Sequence, residues 1–331
     1  MKSILVTGGA GYIGSHTVRQ LSESPLHSQN NIIVLDTLET GFRESIPKNI
    51  TFIQGNVGDQ ELVHSILEKH NVNSIIHFAA SLVVPESVAN PSKYYRNNSF
   101  NTLNLLECAV KQNVKHFIFS STASVYGNSD QATIGESTPA QPINPYGFSK
   151  MISEQFIKDI SKISALQYVI LRYFNVAGAA SDLSNGQKSK NASHLIKIAC
   201  EVICKKRESM TIFGTDYPTK DGTGTRDYIH VEDLADLHVL ALSYLDQGGL
   251  SDTFNCGYGH GFTVREVIHT LEKVSQTKIL AHDGARRAGD PAVVISDVQK
   301  IKHAFHWKPR HDNIDEICKS ALLWEQHSLT S

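Results

Sequence analysis

The chain has 331 residues, 40% of them hydrophobic and 19% charged, which is too apolar for disorder and long enough to bury a large core in one or two domains. Its 31 Lys and Arg against 33 Asp and Glu leave a net charge of −2, so no overall positive field is offered to nucleic acid or to an anionic membrane surface. No run of about 18 apolar residues can span a bilayer, and the apolar stretch at Met1–Gly8 is too short for a signal peptide.

The first half alternates short β-rich runs with helical stretches. Strands are expected at Ser3–Thr7, Ile32–Leu35, Thr51–Gln54, Ser74–Phe78, His116–Ser120 and Tyr168–Arg172. Each is a nearly continuous run of Val, Ile and other apolar residues, as in a parallel sheet buried on both faces. Between them lie helices such as Asn101–Gln112, with Leu103, Leu106, Ala109 and Val110 on one face. The expected fold class is α/β, a doubly wound parallel Rossmann-type sheet with a smaller α/β C-terminal domain. The boundary falls at 175, giving domains 1–175 and 176–331. It is soft, because 253–257 reads as a strand that can return to the first sheet. Beyond 175 come a polar loop at Ala177–Asn191, a helix at Ser193–Lys206, a turn-rich stretch at Gly214–Arg226 and a helix at Val231–Leu245. A strand at Thr253–Cys256 and helices at Thr263–Val274 and Ile314–His327 complete the chain.

Two motifs carry chemistry. After the first strand, Thr7-Gly8-Gly9-Ala10-Gly11-Tyr12-Ile13-Gly14 opens a helix. Gly8 permits a tight turn, Gly11 lets a pyrophosphate approach the backbone, and Gly14 lets helix and strand pack closely. The helix N-terminus offers N–H groups to the phosphates. Asp36 ends the second strand, where a carboxylate accepts from an adenosine ribose and repels a 2′-phosphate, favouring NAD over NADP. A strand-end turn residue is the alternative reading of Asp36.

The second motif joins Ser120-Ser121-Thr122, at the end of the fifth strand, to Tyr146 and Lys150. The last two stand at i and i+4 at the start of a helix and share a face. A free tyrosine has a pKa of about 10. A nearby ammonium and a cationic nicotinamide favour the phenolate, so Tyr146 can act as a base near neutral pH. Thr122 can hydrogen-bond the same substrate hydroxyl, and Lys150 can hold the nicotinamide ribose. Five cysteines (Cys108, Cys200, Cys204, Cys256, Cys318) form no C-x-x-C pair, and Cys200 with Cys204 has no companion pair. A reduced, cytoplasmic protein without a metal site is expected.

With these residues in hand, the chain resembles the extended short-chain dehydrogenase/reductases and, among them, the NAD-dependent sugar-nucleotide epimerases. The similarity runs from Lys2 to Glu325. Its most specific stretches are Arg172-Tyr173-Phe174-Asn175 and Gly224-Thr225-Arg226-Asp227-Tyr228-Ile229-His230-Val231. The resemblance implies an isomerase of galactose metabolism that interconverts UDP-galactose and UDP-glucose. Hydride leaves C4 for NAD while Tyr146 takes the hydroxyl proton, the 4-keto sugar turns over, and hydride returns to the opposite face. It assigns Gly8, Gly11, Tyr12, Ile13, Gly14, Asp36, Leu38, Asn56, Val57, Phe78, Ala79, Asn97, Ser120, Tyr146, Lys150 and Tyr173 to the cofactor. Catalysis falls to Tyr146, Lys150 and Thr122. The substrate is assigned Thr122, Tyr146, Asn175, His194, Leu195, Phe213, Arg226, Arg287 and Asp290. Arginine suits a diphosphate because its fork reaches two oxygens. A surface ion pair remains the alternative for Arg226 and Arg287, and a helix-end polar residue for His194. The resemblance also implies a homodimer paired through helices at Asn97–Gln112 and Ser149–Lys162.

Four departures from the family pattern bear on binding. Asn56 replaces an aspartate and is expected to accept an adenine amino hydrogen through its amide oxygen. Leu82 stands where some relatives place a lysine, and Thr122 where many place a serine. Val294 falls near the position where some relatives carry a tyrosine that closes the sugar pocket, and its smaller side chain is expected to leave room for UDP-N-acetylhexosamines. Epimerases of UDP-glucuronate or UDP-pentoses remain open. A 4,6-dehydratase needs an acid and a base directly after Thr122, where Ala123 and Ser124 cannot shuttle protons. A non-enzymatic NAD-binding regulator commonly lacks the tyrosine or the lysine, and here both are present.

Overall fold

The structure is a computed structural model that describes residues 3–25, 30–129, 131, 133–188, 193–287 and 290–330. Its strands are β1 (Ser3–Thr7), β2 (Asn31–Asp36), β3 (Thr51–Gln54), β4 (Val72–His77), β5 (His116–Thr122), β6 (Gln167–Tyr173), β7 (Asn175–Ala177), β8 (Met210–Phe213), β9 (Thr225–Arg226), β10 (Tyr228–His230), β11 (Asp252–Cys256), β12 (Phe262–Thr263), β13 (Ala281–Gly284) and β14 (Val293–Val294). Its helices are α1 (Tyr12–Glu23), α2 (Gln60–Lys69), α3 (Val84–Ala89), α4 (Pro91–Tyr94), α5 (Asn101–Lys111), α6 (Pro145–Lys162), α7 (Leu195–Ile203), α8 (Val231–Asp246), α9 (Val264–Ser275), α10 (Gln299–Phe305) and α11 (Ile314–Thr330).

The chain divides into two interleaved compact units, the first comprising 1–127, 139–172 and 235–254, the second 128–138, 173–234 and 255–331. In the first, a seven-stranded sheet runs β11-β6-β5-β4-β1-β2-β3. The pairs β1–β2, β1–β4, β2–β3 and β4–β5 are parallel. β1 and β5 are buried along their whole length, as continuous apolar strands in a covered parallel sheet must be. Leu5, Ile33, Val63, Leu67, Ile75, Leu105, Phe117 and Phe119 make the main core on one side of the sheet. Strand order reverses between β1 and β4, and ligands of open α/β sheets bind outside the carboxyl ends of strands at such a point. Thr7, Asp36, His77 and Thr122 are the last residues of β1, β2, β4 and β5. β11 adds the outer strand beside β6, so the stretch around 253–257 does contribute to this sheet.

Local chemistry explains the helix that carries the tyrosine motif. Pro145 occupies the first turn of α6, and the Asn144 side chain accepts from Gly147 N–H at 2.9 Å. The helix expected from Asn97 is not uniform: Tyr95–Phe100 is a π-helical segment, and α5 follows it. Such wide turns are rare and frequently lie at functional sites. Here Asn98 O accepts from Thr102 Oγ1 and Ser153 Oγ at 2.5 and 3.0 Å, and its side chain binds Ser81.

The second unit holds small sheets: β7 with β10, β8 with β13, and β9 between β12 and β14. Helices α7, α9 and α11 pack on one another. α9 begins with a capping box between Thr263 and Glu266. The expected helix at 193–206 is shorter, because His194 is its N-cap and Lys205 turns left-handed at φ 60°. The loop expected at 177–191 is pinned by an Ala179–Gly186 bridge, while 189–191 lie outside the described residues. β8, whose alternation spans only four residues, and β13, a four-residue strand with no alternation, are absent from the sequence reading.

Candidate active site

At the nucleotide loop, Gly8 adopts φ +70°, and a Cβ there would lie 2.5 Å from Ala79 N. A Cβ on Gly14 would lie 2.4 Å from Gly8 O. Both glycines are demanded by the chain's own packing. Gly11 is different. Its φ is an ordinary −75°, and a Cβ would meet nothing closer than Gly8 O at 3.3 Å. The backbone conformation at Gly11 is one other residues adopt, and its bare Cα leaves the loop open to a close-approaching ligand. Gly11 is the N-cap of α1, which has no side-chain cap, so its opening N–H groups suit an anion. Tyr12 and Ile13 form that first turn. Asp36 is 8% exposed, and its oxygens accept from Ala10 N–H at 2.9 Å and Leu38 N–H at 2.8 Å. Leu38 takes φ 61°, bending the chain back onto that carboxylate. Each oxygen keeps a lone pair for a ribose hydroxyl. This loop fits a dinucleotide diphosphate.

The other cofactor positions divide by exposure. The N–H groups of Phe78 and Ala79 donate to Thr7 O at 2.9 and 3.2 Å. Asn97 donates to Ser81 Oγ and accepts from Asn101 Nδ2. The Asn56 oxygen accepts from Gly58 N–H and from Asn101 Nδ2 at 2.8 and 3.1 Å, which uses both of its lone pairs. The acceptance of an adenine amino hydrogen expected of that oxygen therefore finds it occupied, and the group Asn56 offers is its amide nitrogen, a donor. Val57 is buried in the core beside residues such as Leu105.

The candidate catalytic residues sit at the end of β5 and the start of α6. Lys150 is 2% exposed, and its Nζ donates to Ser120 O at 2.9 Å. The ammonium also stands 4.7 Å from the centre of the Phe119 ring. Burial pulls the Lys150 pKa down to about 7, opposed by the charge of Glu154. Thr122 Oγ1 accepts from Ser124 N–H at 3.1 Å and caps a short 3₁₀ turn. Tyr146 is 6% exposed, with the Tyr94 ring edge-on at 6.4 Å.

The remaining residues assigned to the substrate, beyond Thr122 and Tyr146, belong to the second unit. Arg226 is paired with Asp290 and also donates to Thr225 O at 2.8 Å. The ion-pair alternative for Arg226 thus describes its present partner, although only 14% of its side chain is exposed. Arg287 lies against the half-open Phe213 ring, its guanidinium 4.1 Å from the centroid. Asp290 O accepts from Tyr217 OH at 3.0 Å, and the Tyr217 ring is covered by Arg286 at 4.2 Å. Val294 pairs in register with Arg226. His194 and Leu195 open α7, which lacks a side-chain cap, and Gln187 Nε2 lies 3.4 Å from His194 Nδ1. Tyr173 closes β6 and Asn175 opens β7, with Asn175 N–H donating to Asp227 O. The structure groups Arg226, Asp290, Arg287 and Phe213 through these contacts.

Sequence reasoning missed the groups that brace these residues. His77, 1% exposed, bridges Thr7 Oγ1 at 2.6 Å and Thr102 Oγ1 at 2.9 Å. Thr102 spends its proton on Asn98 O, so His77 Nε2 must donate and Nδ1 accept from Thr7. Burial, helped by Lys150, lowers the His77 pKa to about 3, which keeps the ring neutral. Glu154 and Arg172 form a buried pair behind β5. Glu154 continues the spacing Tyr146, Lys150, Glu154 at i, i+4, i+8, a signal legible in the chain. Trp324 and Lys197 both donate to Gln187 O, bracing the loop before α7. Among the described residues one trio, His230, Glu232 and His311, brings potential metal-ligand atoms within 4.8 Å of one another. Both His230 nitrogens already face hydrogen-bond partners, Glu232 N–H and Ser320 Oγ.

Comparison with known proteins gives a consistent result. The model of the NAD dependent epimerase/dehydratase family matches residues 4–257. A UDP-glucose 4-epimerase of Azospirillum brasilense is 47% identical over 98% of this chain and 92% of its own. The crystal structure of a UDP-glucose 4-epimerase from Brucella ovis in complex with NAD superposes with a TM-score of 0.93 at 36% identity, covering 98% of both chains. The UDP-Glc/GlcNAc 4-epimerase of Campylobacter jejuni superposes at 0.87 with 45% identity, over 99% of this chain and 100% of that one. With the family model spanning most of its length and near-half identity end to end, the chain belongs to the NAD dependent epimerase/dehydratase family, among the UDP-glucose 4-epimerases.

Proposed function

We propose that this chain inverts C4 of UDP-galactose and UDP-glucose, an isomerase reaction with no net oxidation. The observation that carries the reading is Lys150, buried and bound to Ser120 O, one helical turn after Tyr146 on α6. Gly8, Gly11, Gly14, Asp36, Asn97 and Lys150 hold NAD, with Tyr12, Ile13, Leu38, Asn56, Val57, Phe78, Ala79, Ser120 and Tyr173 around it. Bound NAD supplies the hydride acceptor, and then the donor, at C4. Tyr146 takes the proton of the C4 hydroxyl and, once hydride has come back to the opposite face of the carbon, returns a proton to the C4 oxygen, while Thr122 holds that same oxygen. The Lys150 ammonium favours the phenolate, and it does so only while protonated.

In the second unit, Asn175, His194, Leu195, Phe213, Arg226, Arg287 and Asp290 hold the uridine diphosphate. Binding energy spent on the nucleotide lets the hexose be gripped loosely enough to turn. The first unit is then the NAD-binding domain and the second the UDP-sugar domain. The exposed Phe100 and Phe148, on the segments that carry α5 and α6, support pairing with a second copy of the chain. Five free cysteines fit a reducing compartment such as the cytoplasm.

Val294 favours a second reading. It lies in register with Arg226 and is half-buried, and its short side chain leaves space for an N-acetyl group. On this reading the enzyme also interconverts UDP-N-acetylhexosamines. A panel of UDP-glucose, UDP-N-acetylglucosamine, UDP-glucuronate and UDP-xylose, read for 4-epimers, tests both readings. No turnover of UDP-glucose or UDP-galactose would sink the first. No product from UDP-N-acetylglucosamine would sink the second.

A further inference from the structure

Glu154 lies on α6 one turn beyond Lys150 and is only 1% exposed. A buried carboxylate is costly unless its lone pairs are filled. Here they are filled from two directions. Ser121 Oγ donates to Oε1 at 2.6 Å, and Arg172 donates to Oε1 through Nε at 2.9 Å and to Oε2 through Nη2 at 2.5 Å. Lys158 Nζ stands 3.7 Å from Oε2, and the Arg172 guanidinium lies over the Tyr126 ring at 4.8 Å. Ser121 is flanked by Ser120, whose carbonyl takes the Lys150 ammonium, and by Thr122. One carboxylate thus ties the end of β5 to the helix that carries Tyr146 and Lys150, and it is the negative group acting on Lys150.

We propose that Glu154 is a positioning residue for the epimerisation, locking the Ser120–Thr122 strand end to the Tyr146–Lys150 face of α6 and supplying the negative charge that keeps the Lys150 ammonium in place. The proposal rests on the reading that Tyr146, Lys150 and Thr122 carry the reaction. Its two parts act differently. The Ser121 link sets where the Thr122 hydroxyl stands relative to Tyr146. The charge offsets the cost of burying Lys150 and so sets the pH above which the ammonium, and with it the phenolate, is lost. Both Arg172 and Lys158 face Glu154, so removing its charge leaves cations around Lys150 and drives that pH lower.

The test compares Glu154→Gln, Glu154→Asp and Ser121→Ala as purified holoenzymes. Glu154→Gln is expected to lower kcat by roughly 10- to 100-fold with little change in KM. Its alkaline limb of activity should move down by about one pH unit. The alkaline titration of Lys150, followed by NMR of the isotopically labelled lysine without substrate, should move the same way. Glu154→Asp should restore the limb but not the full rate. Ser121→Ala keeps the charge, so its rate should fall with the limb unmoved; it also serves if Glu154→Gln does not fold. Variants that only melt at lower temperature, with kcat per bound NAD, pH limb and lysine titration unchanged, would overturn the proposal. So would Ser121→Ala with an undiminished rate. Full activity in Tyr146→Phe would instead refute the underlying reading, whatever Glu154 does.

Discussion

The residues proposed for the cofactor in the first unit and those proposed for the substrate in the second are built from different materials. Around the glycine loop the surface is shaped mainly by backbone, and the carboxyl and amine side chains proposed for the cofactor, Asp36 and Lys150, are buried at 8% and 2% exposure. In the second unit the candidate residues are charged pairs and half-open rings: Arg226 with Asp290, Arg287 on Phe213, Arg286 with Asp216. Contacts set by backbone geometry are rigid and little affected by salt, whereas partly exposed charges are screened and exchange partners readily. That difference suits a cofactor that stays through many turnovers and a substrate that must arrive and leave.

The largest effect is expected at the base. Tyr146→Phe should lower kcat by about 10²- to 10⁴-fold while the bound NAD content stays near one per chain. A loss of NAD alongside the rate would mean that Tyr146 belongs to the cofactor grip more than to the chemistry.

Next comes the buried frame of the first unit. His77 has a pKa of about 3 in the folded chain, below its ordinary 6.5. The unfolded chain therefore binds the extra proton between these values, so stability falls as pH drops through that window and levels off below it. The full size is on the order of 5 kcal/mol. Urea unfolding at pH 7 and pH 4.5 should show a clearly smaller difference in His77→Gln than in the native chain.

A smaller effect separates the two units directly. Arg226→Ala should raise KM for the UDP-sugar by roughly 10- to 100-fold, the worth of a charge-assisted contact, with NAD content unchanged. Raising salt in the native enzyme should move KM in the same direction by a few fold. The smallest change concerns Gly11→Ala. A Cβ there would stand 3.3 Å from Gly8 O and replace glycine at an N-cap, a cost of about 1 kcal/mol, so the melting temperature of protein stripped of NAD should fall by only a few degrees, while NAD affinity falls by about 10-fold. A large loss of stability would mean that Gly11 serves the fold and not the cofactor.

How much was legible depends on distance along the chain. The glycine loop, Asp36 at a strand end and the Tyr146–Lys150 spacing are local patterns, and each sits in its expected element. The wide turn at Tyr95–Phe100 escaped because its cause is the web around Asn98, which reaches Ser81 and Ser149. The pairing of Arg226 with Asp290 escaped because the two positions, each read as a separate substrate contact, meet only in the fold.

The sequence by itself determined the parallel sheet, the order of its motifs and the spacing of the candidate catalytic residues. Those follow from periodicity, from glycines at fixed offsets and from side chains a single helical turn apart. Only the tertiary structure decided which groups brace them. His77 meets Thr7 across 70 positions, Ser121 meets Glu154 across 33, and Trp324 meets Gln187 across 137. Such contacts leave no local trace, because a buried polar group reveals its partner only when the strands and helices that carry the two have closed around them.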